Sequence, residues 1–117
     1  MVREKISEEN ITIVEQFLSS LRVKDLSLAP IADDIEFEDP MIGKGKGADA
    51  LRGFTSGFLP AISDVKIIQH IADGDYIVTE WEVDGVFGAI TILEKFLVRD
   101  GKIAAYRAFY DPRPILG

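Results

Sequence analysis

Three Asp-Gly pairs divide the second half of the chain, at positions 73–74, 84–85 and 100–101. Each pair lies between runs rich in β-branched and aromatic residues, and this combination is the strongest short-range signal for a β-hairpin. Aspartate and glycine both tolerate the backbone conformation of a tight hairpin turn. The pattern therefore predicts a four-stranded antiparallel meander, with strands near residues 63–72, 75–84, 87–99 and 102–110.

The start of the chain has helical periodicity instead. Ile11, Val14 and Leu18 recur at helical spacing, and Ser7 is a residue type that caps helix N-termini. These residues predict a first helix from Ser7 to about Arg22, with one broad apolar face.

Two further helices are predicted before the meander. Asp25 can cap a short second helix, which Pro30 should end early because proline lacks the backbone donor. Leu51, Phe54 and Phe58 have helical spacing and predict a third helix that ends at Pro60. Helices come first and strands last, so the order predicts one α+β domain over residues 1–117, with helices covering one face of the sheet.

A short strand and a loop precede the third helix. Ile35, Phe37 and Asp39 alternate with acidic residues, so one side of this strand is apolar until Asp39. The glycines and lysines from Gly43 to Gly47 indicate a flexible loop, without the ending that a phosphate-binding loop requires.

Composition excludes several classes of function. Thirteen Lys and Arg face twenty Asp and Glu, and the net charge of −7 argues against nucleic-acid and membrane partners. The absence of cysteine excludes disulfides and thiolate sites, and the single histidine, His70, is too few for a histidine zinc site, so we expect no metal or other cofactor. We expect His70 on the outer side of its strand. No apolar run is long enough to span a membrane and Met1–Asn10 is polar, so a cytoplasmic protein is expected.

Three segments resemble the nuclear-transport-factor-2-like superfamily, in particular its SnoaL-like and ketosteroid-isomerase-like members. They are Ala32–Pro40, Gly47–Phe54 and Gly101–Tyr110, and the resemblance extends over nearly the whole chain. It implies a cone of three N-terminal helices packed on a strongly curved, mostly antiparallel sheet, with a ligand or active site at the open end. It also implies a homodimer.

The resemblance to the isomerases extends to individual residues. Their general base is the aspartate of an Asp-Pro step at the end of the first strand, which matches Asp39 here, and a second acid matches Glu94. Their third residue, a tyrosine on the first helix, is replaced by Phe17, so the steroid isomerase set is incomplete.

The superfamily also includes epoxide hydrolases, which orient water with an aspartate, an arginine and a second aspartate. The matching positions here carry Thr79, Trp81 and Ala108. This set is absent, and the resemblance implies no hydrolase of that kind.

Strand alternation predicts which side chains share a pocket wall. Counting by twos places Glu94 and Phe96 on the same side of the meander as Trp81 and Tyr106. In an apolar cavity, desolvation disfavours the ionised form of a carboxyl group. Tyr106 or Tyr110 could replace the missing helix tyrosine as an oxyanion donor. The expected pocket residues are Phe17, Phe37, Phe54, Phe58, Trp81, Phe96, Tyr106 and Tyr110.

Two functions follow from this sequence. One is a SnoaL-like enzyme of the isomerase or cyclase type that transfers a proton on a small apolar carbonyl compound, with Asp39 as base and Glu94 or a tyrosine polarising the oxygen. The other is a non-catalytic ligand-binding or dimeric scaffold domain, which Phe17 favours. In that case Asp39 accepts hydrogen bonds in the turn that it starts, and Glu94 pairs with a basic residue across the strands or faces solvent.

Overall fold

The computed structural model describes residues 2–116. The helices are α1 (Val2–Arg22), α2 (Ala48–Ser56) and α3 (Arg113–Leu116), with single 3₁₀ turns at Leu26–Leu28 and Leu59–Ala61. The strands are β1 (Ile31–Asp39), β2 (Gly43–Lys46), β3 (Ile62–Asp73), β4 (Tyr76–Gly85), β5 (Gly88–Arg99) and β6 (Lys102–Phe109). Within residues 2–116, no helix has both the length and the apolar character needed to cross a membrane.

All six strands form one open sheet in the order β2-β1-β6-β5-β4-β3. β1 and β6 are parallel, whereas every other neighbouring pair is antiparallel. Register shifts interrupt β1, β3 and β5, and such bulges bend a sheet and increase its twist. The predicted α+β class, with helices on a curved and mostly antiparallel sheet, is confirmed.

The four meander strands agree with the predicted ones to within one residue at each end. At the last turn Asp100 and Gly101 both have positive φ, +53° and +72°, as a primed hairpin turn requires. The pair at 84–85 behaves differently. It ends β4, and Val86 and Phe87 form the turn between β4 and β5.

The apolar face of α1 packs into the concave side of the sheet. Val14, Phe17, Leu18 and Leu21 are all buried on this face. Ile35, Phe96 and Ile103, on three neighbouring strands, are fully buried beneath the helices. α1 therefore fills one end of the cone, and the other end is covered by α2, α3 and the β4–β5 turn.

The helix boundaries differ from the prediction at three places. α1 already includes the residues before Ser7, because Arg3, Glu4 and Lys5 are good helix formers and nothing there breaks the helix. The Ser7 hydroxyl accepts a hydrogen bond from the Gly74 N–H (3.1 Å), so it fastens the helix to a hairpin turn instead of capping it. The second predicted helix is one 3₁₀ turn, capped by the Asp25 carboxylate as expected. The third predicted helix, α2, ends at Ser56 instead of at Pro60, which lies in the following 3₁₀ turn, so Phe58 is outside the helix.

The predicted glycine loop is largely an edge strand, β2. Gly45 pairs with Phe37 of β1 and lies directly on its ring, where a Cβ atom would clash. The local sequence indicated flexibility, but the missing side chain at Gly45 instead permits close packing against an aromatic residue.

His70 lies on the helix-facing side of β3, not on the outer side as predicted. The register shift between Ile67 and Gln69 reverses the alternation, so that His70 pairs with the inward-facing Thr79. Its Nδ1 is 2.8 Å from the Thr79 hydroxyl and its Nε2 is 3.0 Å from a Glu15 carboxylate oxygen on α1. A bulge of this kind cannot be recognised from the alternation of residue types alone.

Candidate functional site

A cavity of about 100 Å³ opens between the concave side of the sheet and the elements at its wide end. α2 contributes one wall, the β4–β5 turn a second and α3 a third. The lining side chains are mostly apolar or aromatic. They are Phe17, Leu21, Asp39, Phe54, Thr55, Phe58, Ile62, Trp81, Val83, Phe87, Ile90, Ile92, Glu94, Tyr106, Ala108, Tyr110 and Ile115.

Asp39 reaches this cavity from the end of β1. It is on the apolar side of its strand and only 8% exposed. Its Oδ1 accepts two hydrogen bonds, from the Met41 backbone N–H (2.9 Å) and from the Tyr110 hydroxyl (2.6 Å). Asp39 therefore has the turn role that Asp-Pro sequences favour and at the same time lines the cavity.

Glu94 reaches the cavity from the middle of β5 and is 3% exposed. Its Oε1 accepts a hydrogen bond from the Trp81 indole N–H (3.1 Å). Burial raises the pKa of Glu94 to about 8, the Trp81 bond offsets part of this rise, and the nearby Asp39 charge adds to it. Glu94 is thus protonated at neutral pH; it does not face solvent, and it pairs with no basic side chain among the residues that the structure describes.

The two tyrosines of the last strand region have different roles. Tyr110 donates its hydroxyl proton to Asp39, so that proton is not available to an oxyanion. Tyr106 is 8% exposed, lines the cavity and, within residues 2–116, has no hydrogen-bond partner for its hydroxyl. Burial raises the pKa of both phenols, and the neighbouring acids raise it further, so both remain protonated donors.

Within the described part of the chain, no set of three His, Asp or Glu side chains is placed to hold a metal ion. The positions that match the epoxide hydrolase set carry no acid or arginine. Trp81 and Ala108 line the cavity, and the fully buried Thr79 contacts His70 behind it.

The sequence profile of the SnoaL-like domain family matches residues 14–106, most of the chain. The chain belongs to the SnoaL-like domain family. No curated protein matches this SnoaL-like domain.

Solved structures share the fold of this SnoaL-like domain at low sequence identity. A candidate SnoaL-like polyketide cyclase from Jannaschia is 13% identical with a TM-score of 0.81, over 95% of this chain and 91% of that one. A candidate ketosteroid isomerase from Kribbella flavida is 16% identical with a TM-score of 0.79, over 90% and 79%. An LEH-like epoxide hydrolase from M. tuberculosis is 24% identical with a TM-score of 0.76, over 94% and 88%.

Two aromatic residues expected in the pocket lie behind its wall. Phe37 and Phe96 are buried against the inner side of Tyr106, with ring centroids 5.9 and 6.1 Å from the Tyr106 ring. Neither lines the cavity. They are the register partners of Tyr106 on the neighbouring strands β1 and β5, so they flank and support its ring instead. Phe17, Phe54, Phe58, Trp81, Tyr106 and Tyr110 all line the cavity.

Sequence reasoning missed the hydrogen bond between Tyr110 and Asp39 and the contributions of Phe87 and Ile115 to the cavity of the SnoaL-like domain. The first depends on the parallel pairing of β1 with β6, which nothing in the local sequence indicates. Phe87 could have been found, because a large aromatic side chain next to a predicted hairpin turn indicates that the side chain is buried against something. Ile115 had no such signal.

Proposed function

We propose that this SnoaL-like domain catalyses proton transfer next to the carbonyl group of a small apolar compound, as an isomerase or cyclase of that chemistry does. The observation that carries the proposal is a single cavity in which two carboxyl groups have different hydrogen-bond environments. Proton abstraction next to a carbonyl needs one ionised carboxylate and one neutral donor.

Asp39 is the proposed general base. Its Oδ1 is held by Met41 and Tyr110, and within residues 2–116 its Oδ2 accepts no hydrogen bond. Oδ2 takes the proton from the carbon next to the carbonyl, and the electron pair of that C–H bond becomes the double bond of an enolate. The same oxygen then returns the proton to another carbon, which completes an isomerisation.

Glu94 and Tyr106 are the proposed donors to the enolate oxygen. Glu94 is protonated at neutral pH, and the Tyr106 hydroxyl is unpartnered among the described residues. Tyr106 also packs beside Phe17, with ring centroids 6.1 Å apart. Tyr106 on β6 therefore supplies a hydroxyl close to Phe17, at the helix position where the isomerases carry a tyrosine. Removing one such donor typically costs about 10²–10³ in rate.

The cavity supports a small substrate. Its volume of about 100 Å³ is below the roughly 300–1,000 Å³ typical of sites for drug-sized ligands, so a one-ring compound fits better than a polycyclic one. The mostly apolar lining makes this a hydrophobic pocket, which favours a ligand that is itself largely apolar.

The test follows 3-cyclohexen-1-one, a one-ring ketone whose conversion to the conjugated isomer increases ultraviolet absorbance. We expect Asp39→Asn to lower the enzymatic rate by about 10²–10⁴, the usual contribution of a general base. The exposed Asp34→Asn on the same strand is the matched control and should leave the rate unchanged. An Asp39→Asn protein that stays folded and isomerises the ketone at the original rate rules out Asp39 as base and favours the non-catalytic binding domain.

We also propose that two copies associate through the convex face of the sheet. Leu93 and Phe109 are neighbours in register there, each 48% exposed, and Arg107 covers the Phe109 ring at 4.7 Å. Exposed apolar side chains flanked by charges are typical of protein interfaces. Analytical ultracentrifugation should give a dimer that Leu93→Lys dissociates, whereas Val86→Lys, at a fully solvated turn, should not. A monomeric wild-type protein contradicts this proposal.

A further inference from the structure

The ionisable side chains of acids and bases that line the cavity are two carboxyl groups and no basic group, among the residues that the structure describes. Asp39 and Glu94 contribute the carboxyl groups, and no Lys, Arg or His is among the lining residues in the part of the chain that the structure describes. The partners of Asp39 are neutral donors, a backbone amide and a phenol, so within residues 2–116 no positive side chain pairs with it. The potential inside the cavity is therefore negative.

Basic residues that flank the site in sequence are bound elsewhere. Arg107 forms an ion pair with Glu38 (3.3 Å) on the convex side, and Arg113 pairs with Asp111 (2.7 Å) at the surface. Neither side chain lines the cavity. An anion entering the cavity would therefore meet a buried acid without a counter-charge, which is unfavourable in a medium of low polarity.

Seven aromatic rings surround the same space: Phe17, Phe54, Phe58, Trp81, Phe87, Tyr106 and Tyr110. Phe54 and Phe58 are half-buried and meet edge to face, with centroids 5.0 Å apart. Aromatic faces attract organic cations, and the attraction grows as water is excluded. The hydroxyl of Tyr106, which is 8% exposed, also lines the cavity and has no hydrogen-bond partner among residues 2–116.

We infer that the ligand of this cavity is a small apolar molecule carrying a positively charged ammonium group, and that the cavity rejects a carboxylate of similar size. The inference rests on the proposed function and names its substrate as a small aminoketone. The carbonyl oxygen lies near Glu94 and Tyr106. The ammonium group lies against the half-buried rings of α2 and its end, in the field of Asp39.

The test measures equilibrium binding of three one-ring probes through the fluorescence of Trp81, the only tryptophan, which lines the cavity. The probes are benzyltrimethylammonium, benzyl alcohol and benzoate, which differ in charge. We expect the cation to bind about tenfold more tightly than the alcohol, and benzoate to bind at least about tenfold more weakly than the alcohol. These three dissociation constants are measured on the wild-type protein, so they decide the question even if a variant fails to fold.

Asp39→Asn should abolish most of the preference for the cation. The exposed Asp34→Asn changes the net charge equally and should retain the preference, which separates the field of the cavity from the overall charge of −7. Equal binding of all three probes, or an equal loss in both variants, overturns the inference.

Failure of the inference and failure of the proposed function give different results. Isomerisation of the neutral ketone without a preference for the cation leaves the proposed function intact and removes the inference. A preference for the cation in a protein that does not isomerise the ketone supports the inference about the ligand and removes the proposed function.

Discussion

The two carboxyl groups of the cavity are held at different kinds of position in the fold. Asp39 ends a strand, where the chain turns and a free backbone amide of Met41 reaches it. Glu94 lies in the middle of β5, between neighbours on both sides, where the backbone amides are used by the sheet. A strand end thus supplies backbone donors to a carboxylate, whereas a strand centre leaves only side chains, here the Trp81 indole.

The proposed division of one cavity between an acid and a base rests on this difference. Two neutral donors form hydrogen bonds to the Asp39 carboxylate, whereas burial with a single donor raises the pKa of Glu94 to about 8. Two environments of this kind divide the roles of general base and neutral donor. The catalytic roles of both residues remain predictions, and the following experiments test the contrast that underlies them.

The largest expected effect is on stability at high pH. The pKa of Glu94 is raised in the folded state, from an ordinary 4.5 to about 8, so the folded protein binds more protons than the unfolded chain between these values. Its free energy of unfolding therefore falls as the pH rises from about 4.5 to 8, by up to roughly 5 kcal/mol, and stays low above that. Glu94→Gln keeps an acceptor for Trp81 and should lack this fall.

Urea unfolding at pH 5 and pH 9 measures the effect. Asp39 raises the pKa of Glu94, and Glu94 in turn raises the pKa values of Tyr106 and Tyr110; all three residues are retained in the variant. The exposed Glu36→Gln on β1 is the control and should parallel the wild type. If Glu94→Gln also parallels the wild type, Glu94 is ionised in the folded protein and cannot serve as a neutral donor.

A smaller effect is expected at Asp39. Tyr110→Phe removes a 2.6 Å hydrogen bond to a buried carboxylate and should lower the free energy of unfolding at pH 7 by about 2 kcal/mol. Tyr76→Phe removes a hydroxyl from a residue that is 45% exposed and should change stability by less than about 0.5 kcal/mol. Equal small losses from the two substitutions would show that the Met41 amide alone is sufficient to hold Asp39.

The smallest expected effect is a change in the titration of Glu94. Trp81→Phe removes the hydrogen bond that lowers the pKa of Glu94, so this pKa should rise above its wild-type value of about 8. Carbon-13 NMR of labelled glutamate follows the carboxyl signal, and Glu94→Gln assigns it. A fall in the pKa would mean that water entering beside the smaller ring stabilises the carboxylate better than the indole does.

The sequence by itself determined the local structure of this protein. The Asp-Gly signals at 73–74, 84–85 and 100–101 mark the ends of four strands to within a residue, and at 100–101 the pair itself forms the tight turn that fixes the pairing of its strands. The apolar stripe of α1 and the break at Pro30 are local in the same sense. The resemblance to the SnoaL-like family followed from the local segments Ala32–Pro40, Gly47–Phe54 and Gly101–Tyr110.

Only the tertiary structure decided how these elements meet. The parallel pairing of β1 with β6 joins the chain's two halves and positions Tyr110 to bind Asp39. The bulge in β3 turns His70 towards α1, and the absence of a side chain at Gly45 admits β2 beside Phe37. Each of these features depends on contacts between residues distant in sequence, and the free energy of such contacts is set by packing that no local pattern contains.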